Sequence, residues 1–409
     1  MNNKSLNNPP RVGIIGGGYG GLTAAIHLAA SKFHVSLFDH KKKFDWLPNI
    51  HELISGMKRE SDLQFCLERR LSELGHTFCN EFVTFIDPEH KKVVTDQGKA
   101  YQFDFIIVSV GGVNNTFGVK DADKYTLPFK SVENCACIRD RLREVVRNTE
   151  NPKVGIIGGG LEGIEVLGEI LRAYNSSHDI SLTLVANSPR LLAIGPGAVS
   201  NRLQHYCKIY GIDLRLKRKV TDVYPEGIVL DEKESLDLDV IIWTGGGTAP
   251  PLLYDSGLAE DEKSWVMVNE YLESTDFKNI FIIGDAAYLP EPVDKQAYHA
   301  LDMGKLAAEN IIRVTNDLPT LPFKPTIKPF LLTFGDIDTF MIFGEKVISG
   351  PTMSIAKELV YQMIMRQLEG TGHLHAIEDT LKRLPSLLRV LTRNRIIRRV
   401  LSSLLNNTR

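Results

Sequence analysis

Glycines at 16, 18 and 21, and again at 158, 160 and 163, share one spacing, G-x-G-x-x-G. They lie in the stretches VGIIGGGYGGLTAA (12–25) and VGIIGGGLEGIEVL (154–167). That pattern suits the binding of a diphosphate. The first glycine permits a tight turn, the second lets backbone approach the anion, and the third lets a helix lie close on the preceding strand. Free N–H groups at the helix start, together with its dipole, then face the phosphates. One such turn is a weak signal. Two in matching surroundings suggest two nucleotides on one chain.

The residues after each turn differ. The apolar run His34 to Phe38 ends on Asp39, an acid placed to accept from a ribose hydroxyl. Gly16, Gly18, Gly20, Gly21 and Asp39 are therefore candidate nucleotide contacts. After the second turn, Leu182 to Val185 runs into Ala186-Asn187-Ser188-Pro189-Arg190, with no carboxylate. A carboxylate there repels a 2′-phosphate, so its absence weakens the case for strict NADH preference. Ser188 or Arg190 can accommodate the phosphate of NADPH, and Arg190 reads equally well as a solvated surface charge. Glu165 falls on the first turn of the second helix. It is either a helix-start charge favoured by the dipole or a group near the nicotinamide.

The elements that must position these residues alternate. Short apolar runs at 11–15, 34–38, 103–110, 153–157, 180–185, 240–243 and 280–283 read as buried parallel strands, separated by helically spaced segments. Three end in Gly111-Gly112, Gly245-Gly246-Gly247 and Gly284-Asp285, where ligands approach the carboxyl edge of a parallel sheet. The class is α/β, with two Rossmann-like dinucleotide-binding domains and a C-terminal α+β module carrying amphipathic helices. Residues 318–329 carry four prolines and read as a linker.

Bulk properties exclude several classes. A net charge of -2 gives no basic excess for nucleic acid. The polar start MNNKSLNNPPR has no apolar signal segment, and no apolar run reaches about 18 residues. The expected location is cytoplasmic. Five cysteines (66, 79, 135, 137 and 207) are too few and too scattered for a disulfide framework, and read as structural. Eleven histidines show no metal-ligand spacing, and His373-x-His375 reads as surface, so no metal is expected.

The two turns, taken with Asn279-Ile-Phe-Ile-Ile-Gly-Asp-Ala-Ala287, resemble the two-dinucleotide-binding flavoproteins of the pyridine nucleotide-disulfide oxidoreductase superfamily. The resemblance implies FAD on the first turn and NAD(P)H on the second. FAD contacts implied are Gly16, Gly18, Gly20, Gly21, Asp39, Val83 (in FVTFID), Gly111, Gly284 and Asp285. Those implied for NAD(P)H are Gly158, Gly160, Gly163, Glu165, Ser188, Arg190 and Gly245. Domains follow: 10–113 with 245–320 for FAD, 114–244 for NAD(P)H, and 326–409 as the C-terminal module. No redox cysteine pair lies between residues 40 and 65, Cys135-x-Cys137 is too closely spaced, and no cysteine follows Cys207, so disulfide and sulfide chemistry is not expected.

WLPNIHELISG (46–56), SVGGVNNTFGV (109–119), PFKSVENC (128–135), VIIWTGGGTAPPLL (240–253) and VMVNEYLESTDFKNIFIIGDAA (266–287) resemble patterns of the type II NADH dehydrogenases, single-subunit NADH:quinone oxidoreductases. The resemblance implies NAD(P)H dehydrogenase activity with a quinone acceptor, and places Lys295, Tyr298 and Asp302 near that acceptor; Tyr298, and Glu165 if it approaches the nicotinamide, are the catalytic candidates. One departure stands out. That family's Ala-Gln-x-x-x-Gln reads Ala297-Tyr298 to Asp302 here, and a buried aspartate needs a partner. A soluble reductase of a small redox protein, or a flavin-bearing sensor, are the rival readings.

The chain's last stretch, 380–409, has eight Lys or Arg and no acid. Leu384, Leu387, Leu388 and Leu391 form one apolar stripe, and Ile396, Ile397, Val400, Leu401, Leu404 and Leu405 form another. Two basic amphipathic helices suit an anionic lipid surface, as in the resembled family, which makes the protein peripheral on the cytoplasmic face of a membrane. The alternative is packing on the protein's own core or on a second copy, giving a homodimer.

Overall fold

A computed structural model of the chain describes residues 8–174, 180–350 and 352–371; the basic stretch 380–409 and His373/His375 lie outside the described residues. Five parallel strands make the first sheet, in the order Ile280–Ile282, Phe105–Val108, Arg11–Ile15, His34–Phe38, Thr77–Cys79. Its central strands are covered on both faces, which is why their sequences are continuously apolar rather than alternating. The helices Tyr19–His27 and Ala297–Thr315 cross at a contact of small residues. A Cβ on Gly304 would stand 2.2 Å from the Gly20 carbonyl oxygen.

The second sheet repeats the arrangement: Leu127–Pro128, Val240–Trp243, Lys153–Ile157, Ser181–Ala186 and Asp213–Leu216, all parallel. Each sheet has a three-stranded antiparallel annex, Val83–Asp87 with Lys92–Thr95 and Ala100–Gln102, and Val220–Tyr224 with Gly227–Leu230 and Glu234–Asp237. The chain passes between the two sheets through Val113–Asn114 and Gly247–Thr248, which pair antiparallel. The strand expected over 103–110 is confined to Phe105–Val108, because Gly111 turns the chain at φ +65° and Phe103 is used to cover Gly13.

Residues 318–329 carry no regular element. Beyond them, Phe330–Phe334, Asp338–Phe343 and Lys346–Ser349 form an antiparallel sheet, followed by the helix Met353–Glu369. This module docks on the helix Leu161–Tyr174. The hairpin corner at Gly335 (φ +54°) meets Gly168, so that a Cβ on Gly168 would stand 2.4 Å from the Gly335 nitrogen. Gly168→Ala must separate helix and hairpin. We expect a stability loss of about 1–3 kcal/mol, read as a lower Tm in thermal circular dichroism; an unchanged Tm refutes this packing.

Candidate dinucleotide sites and a buried ionic cluster

The two glycine turns are built alike. Gly16 has φ +99° and Gly158 φ +126°, backbone that side chains rarely adopt. A Cβ on Gly21 would lie 2.0 Å from the Gly16 carbonyl oxygen, and one on Gly163 1.9 Å from that of Gly158. Gly18 and Gly160, by contrast, face open space, with no atom within 4 Å of a Cβ. Each turn therefore offers a backbone-walled cradle of the kind a diphosphate fills. Gly20 faces inward instead, where a Cβ would meet Ile283 at 2.9 Å.

Asp39 is fixed at the end of its strand. Its Oδ2 accepts from the Gly17 N–H (2.7 Å) and its Oδ1 from the Lys41 N–H (2.8 Å). A carboxylate has about four acceptor sites, so capacity for a ribose hydroxyl remains. Val83 opens its strand beside this end: its neighbour Phe82 is exposed and lies edge-on to His40, 5.7 Å between ring centres. On the far side of the turn, Gly111 (φ +65°) is also open to a Cβ. Gly112 lies under Trp265, Trp265 under the Lys295 ammonium (3.1 Å from the ring centre), and Lys295 donates to the Asp285 carbonyl. Gly284-Asp285 starts a short 3-10 turn at the sheet's edge. Burial raises the Asp285 carboxyl, against the pull of Lys295 and Lys130. Burial also pushes the Lys295 amine down to about 8. An anion in this cradle would raise it again. The donors, the open glycines and the acid fit the diphosphate and polyol chain of FAD.

At the second turn, Trp243 Nε1 donates to the carbonyls of Asn115 (3.0 Å) and Gly245 (3.2 Å), which fixes the glycine run 245–247. Arg190 is neither a free surface charge nor turned outward. Its guanidinium donates to the carbonyls of Leu192 (3.2 Å), Ala193 (2.7 Å) and Gly195 (2.7 Å), and Ser188 Oγ donates to the Arg190 carbonyl (2.8 Å). Both residues brace the loop over the turn.

Glu165 stands one turn further into its helix than the sequence reading placed it, and it is buried. The helix dipole is not its partner. Lys357 Nζ donates to its Oε1 (2.7 Å), the Thr333 N–H approaches the same oxygen (3.3 Å), and His51 Nδ1 lies 3.2 Å from Oε2. His51 Nε2 is 3.3 Å from Lys357 Nζ, which donates, so the ring is neutral with its proton on Nδ1. Burial and the Lys357 charge hold His51 well below the usual histidine range, and burial raises Glu165. The cluster continues through Lys58 to Glu358 (2.6 Å) and Glu52 (3.5 Å), and through Arg172 to Glu169 and Asp336 (2.6 Å each). It joins segments near residues 50, 165 and 357.

Sequence reading missed this group apart from Glu165. A signal was present: LEGIEVLGEI is apolar nearly all round, which marks a buried helix, and its carboxylates at 165 and 169 then require buried cations. Nothing local names Lys357 or His51. Tyr298 belongs to another group. It is half-buried near Lys328 (5.6 Å from Nζ to ring centre), and Lys328 pairs with Asp302, supplying the partner that aspartate needs. The buried atoms His299 Nδ1 and Thr333 Oγ1 have no hydrogen-bond partner among the described residues.

All five cysteines are free thiols. Cys135 and Cys207 are buried and have raised pKa values, whereas Cys66 and Cys137 are exposed and do not serve the core. Among the described residues no cluster could hold a metal, and no helix is long and apolar enough to cross a membrane.

Two parallel sheets, each with a glycine cradle at its carboxyl edge and two strands passing between them, define a two-dinucleotide fold. The chain belongs to the pyridine nucleotide-disulphide oxidoreductase family, whose model matches residues 10–304. It is 26% identical over 374 residues to the demethylphylloquinone reductase NdbB of Synechocystis (86% of this chain, 91% of that one). It is 24% identical over 391 residues to the type II NADH:quinone oxidoreductase of Staphylococcus aureus (88% and 96%). Among solved structures, NDH2 of Plasmodium falciparum in complex with NADH superposes with a TM-score of 0.83 at 16% identity, covering 92% of this chain and 98% of that one.

Two outcomes follow from this geometry. Gly18→Ala should fold with an unchanged apoprotein Tm yet retain far less flavin, because its methyl enters only the cradle. Gly21→Ala should lose both; absorbance at the flavin band and thermal scans separate the two. The second concerns Glu169, which burial pushes up from 4.5 to about 7. The folded state then holds a proton that the unfolded chain releases, so stability falls as pH rises from about 4.5 to about 7. Glu169→Gln should remove most of that loss, on the order of 3 kcal/mol across the whole window, measured by urea unfolding at a series of pH values.

Proposed function

We propose that the protein is an FAD-dependent NAD(P)H:quinone oxidoreductase of the type II kind. The observation that carries this reading is the pair of register-matched cradles joined to Gly284-Asp285 at the edge of the first sheet. The absence of a redox cysteine pair argues against the family's disulfide chemistry. In this reading, residues 10–113 and 245–320 form the FAD domain, 114–244 the NAD(P)H domain and 326–409 the C-terminal module. Gly16, Gly18, Gly21, Asp39, Val83, Gly111, Gly284 and Asp285 hold FAD, with Gly20 acting as a packing residue. Gly158, Gly160, Gly163 and Gly245 hold the nicotinamide nucleotide. Ser188 and Arg190 brace the loop above it.

When bound, FAD supplies the hydride-accepting ring and the electron store; the protein supplies orientation and dielectric. Quinone reduction consumes two protons along with two electrons. The Lys357–Glu165–His51 group is a buried ionic chain in which a proton can pass between Lys357 Nζ and Glu165 Oε1 over 2.7 Å. We assign it to proton supply on the acceptor side. Tyr298, with Lys328 and Asp302, lines the acceptor's approach.

We also assign residues 380–409 to a membrane surface, on the cytoplasmic side. Eight basic residues without an acid support lipid over a second copy of the chain, since each contributes about 1 kcal/mol near anionic lipid. Tyr298 and Asp302, which replace the family's glutamines, favour a second reading in which the acceptor is a small redox protein.

The test is anaerobic stopped-flow reduction of the flavin by NADH and NADPH, followed by a soluble ubiquinone. Fast bleaching and reoxidation by the quinone are expected. A flavin reduced by neither nucleotide refutes the proposal, and reoxidation only by a protein acceptor selects the second reading. Removing 380–409 should abolish binding to anionic vesicles and leave flavin reduction intact.

A further inference from the structure

The two turns allow an internal comparison. Ile15 is in register with Phe38, and Ile157 with Val185. The Gly16 N–H donates to the Phe38 carbonyl and the Gly158 N–H to the Val185 carbonyl, both at 2.9 Å. Asp39 and Ala186, the next residues, are therefore structural equivalents. At the first turn, Asp39 Oδ2 takes the Gly17 N–H at 2.7 Å and sits where a ribose hydroxyl would donate. At the second, a Cβ on the equivalent glycine, Gly159, would meet apolar groups alone, the Ala186 methyl at 2.8 Å and Leu191 Cδ2 at 3.3 Å.

We infer that the second turn accepts NADPH at least as well as NADH, because a methyl group replaces the acid that would repel a 2′-phosphate. This rests on reading that turn as the nicotinamide nucleotide site. Both halves of the discrimination are gone. NADH loses a charged acceptor for its 2′-hydroxyl, and NADPH loses a like-charge neighbour.

Residues 186–197 contain no Asp or Glu. The Lys217 N–H donates to the Ser188 carbonyl and the Arg218 N–H to that of Ala186, both at 3.1 Å, which places two cations beside the strand end. Arg218 is engaged by Asp231 and Glu234, and Arg215 shares Glu234, so neither guanidinium is free. Lys217 is exposed, with a backbone φ of +55°, and its ammonium has no ion-pair partner among the described residues. Its backbone bond to Ser188 makes Lys217 the cation we assign to a 2′-phosphate. Arg190 holds the loop through three carbonyls and so keeps Ser188 in place.

The experiment is calorimetric titration of the FAD-loaded full chain with NAD+ and NADP+, alongside anaerobic flavin reduction by NADH and NADPH. The expected result is a Kd for NADP+ equal to or below that for NAD+. Lys217→Gln should weaken NADP+ several-fold and leave NAD+ unchanged. Ala186→Asp should weaken NADP+ by about tenfold or more without weakening NAD+. NAD+ bound tighter than NADP+ overturns the inference while leaving the oxidoreductase reading standing. Failure of both nucleotides to bind and to reduce the flavin overturns both. If Ala186→Asp does not fold, the wild-type ratio and Lys217→Gln still decide.

Discussion

No side chain fits between the third glycine of either turn and the carbonyl of the first: the gaps left for a Cβ at Gly21 and Gly163 are 2.0 and 1.9 Å. That close approach sets where each helix starts relative to its strand, and so where its free N–H groups point. The same approach leaves Gly18 and Gly160 at the mouth with nothing in front of them. A cradle for an anion thus results from packing the helix on the sheet. The strand, the turn and the helix cannot be altered independently of the anion site.

The second organising feature is electrostatic. Glu165, Glu169 and Arg172 lie on one helix, His51, Glu52 and Lys58 on the segment after residue 50, and Asp336, Lys357 and Glu358 on the C-terminal module. Buried charges are costly unless paired, and pairing across three segments is weak evidence for added stability. It does impose a single docking geometry, because a shifted module would strand an unpaired charge. The Gly168–Gly335 backbone contact imposes the same geometry by sterics alone. A cluster held by two independent constraints is suited to chemistry that needs proton-exchanging groups at fixed distances.

The sequence made much of both parallel sheets legible because their signals are local. The runs 11–15, 34–38, 153–157 and 240–243 coincide with strands Arg11–Ile15, His34–Phe38, Lys153–Ile157 and Val240–Trp243, since buried parallel strands must be continuously apolar. What stayed hidden depends on contacts distant in sequence. Lys357 and His51 are separated by about 300 residues, and neither carries a local mark of its partner. Glu165 was visible as a residue but not as a buried one, because one acid near a helix start looks the same whether the dipole or a lysine neutralises it. Arg190 was read as surface or ligand-facing, and neither reading anticipates a guanidinium spent on three carbonyls of its own loop. Gly20, read as a nucleotide contact, has Ile283 and Ser109 in its Cβ direction and Gly304 against its carbonyl, packing that no local pattern announces.

The duplication of the turn also supplies a control within one molecule. Backbone geometry is closely alike at both sites, with 2.9 Å bonds from Gly16 and Gly158, so side chains at the rim are where the two sites differ most. The first rim has Asp39 and its two backbone donors; the second has Ala186, a braced loop and Lys217. A shared cradle fixes the diphosphate, which both nucleotides possess, and the rim decides the part they do not share. Selection for one dinucleotide over another is therefore separable from affinity for dinucleotides as a class. In the proposed reading it rests on the residue at the end of each second strand, Asp39 and Ala186, with Lys217 beside the latter.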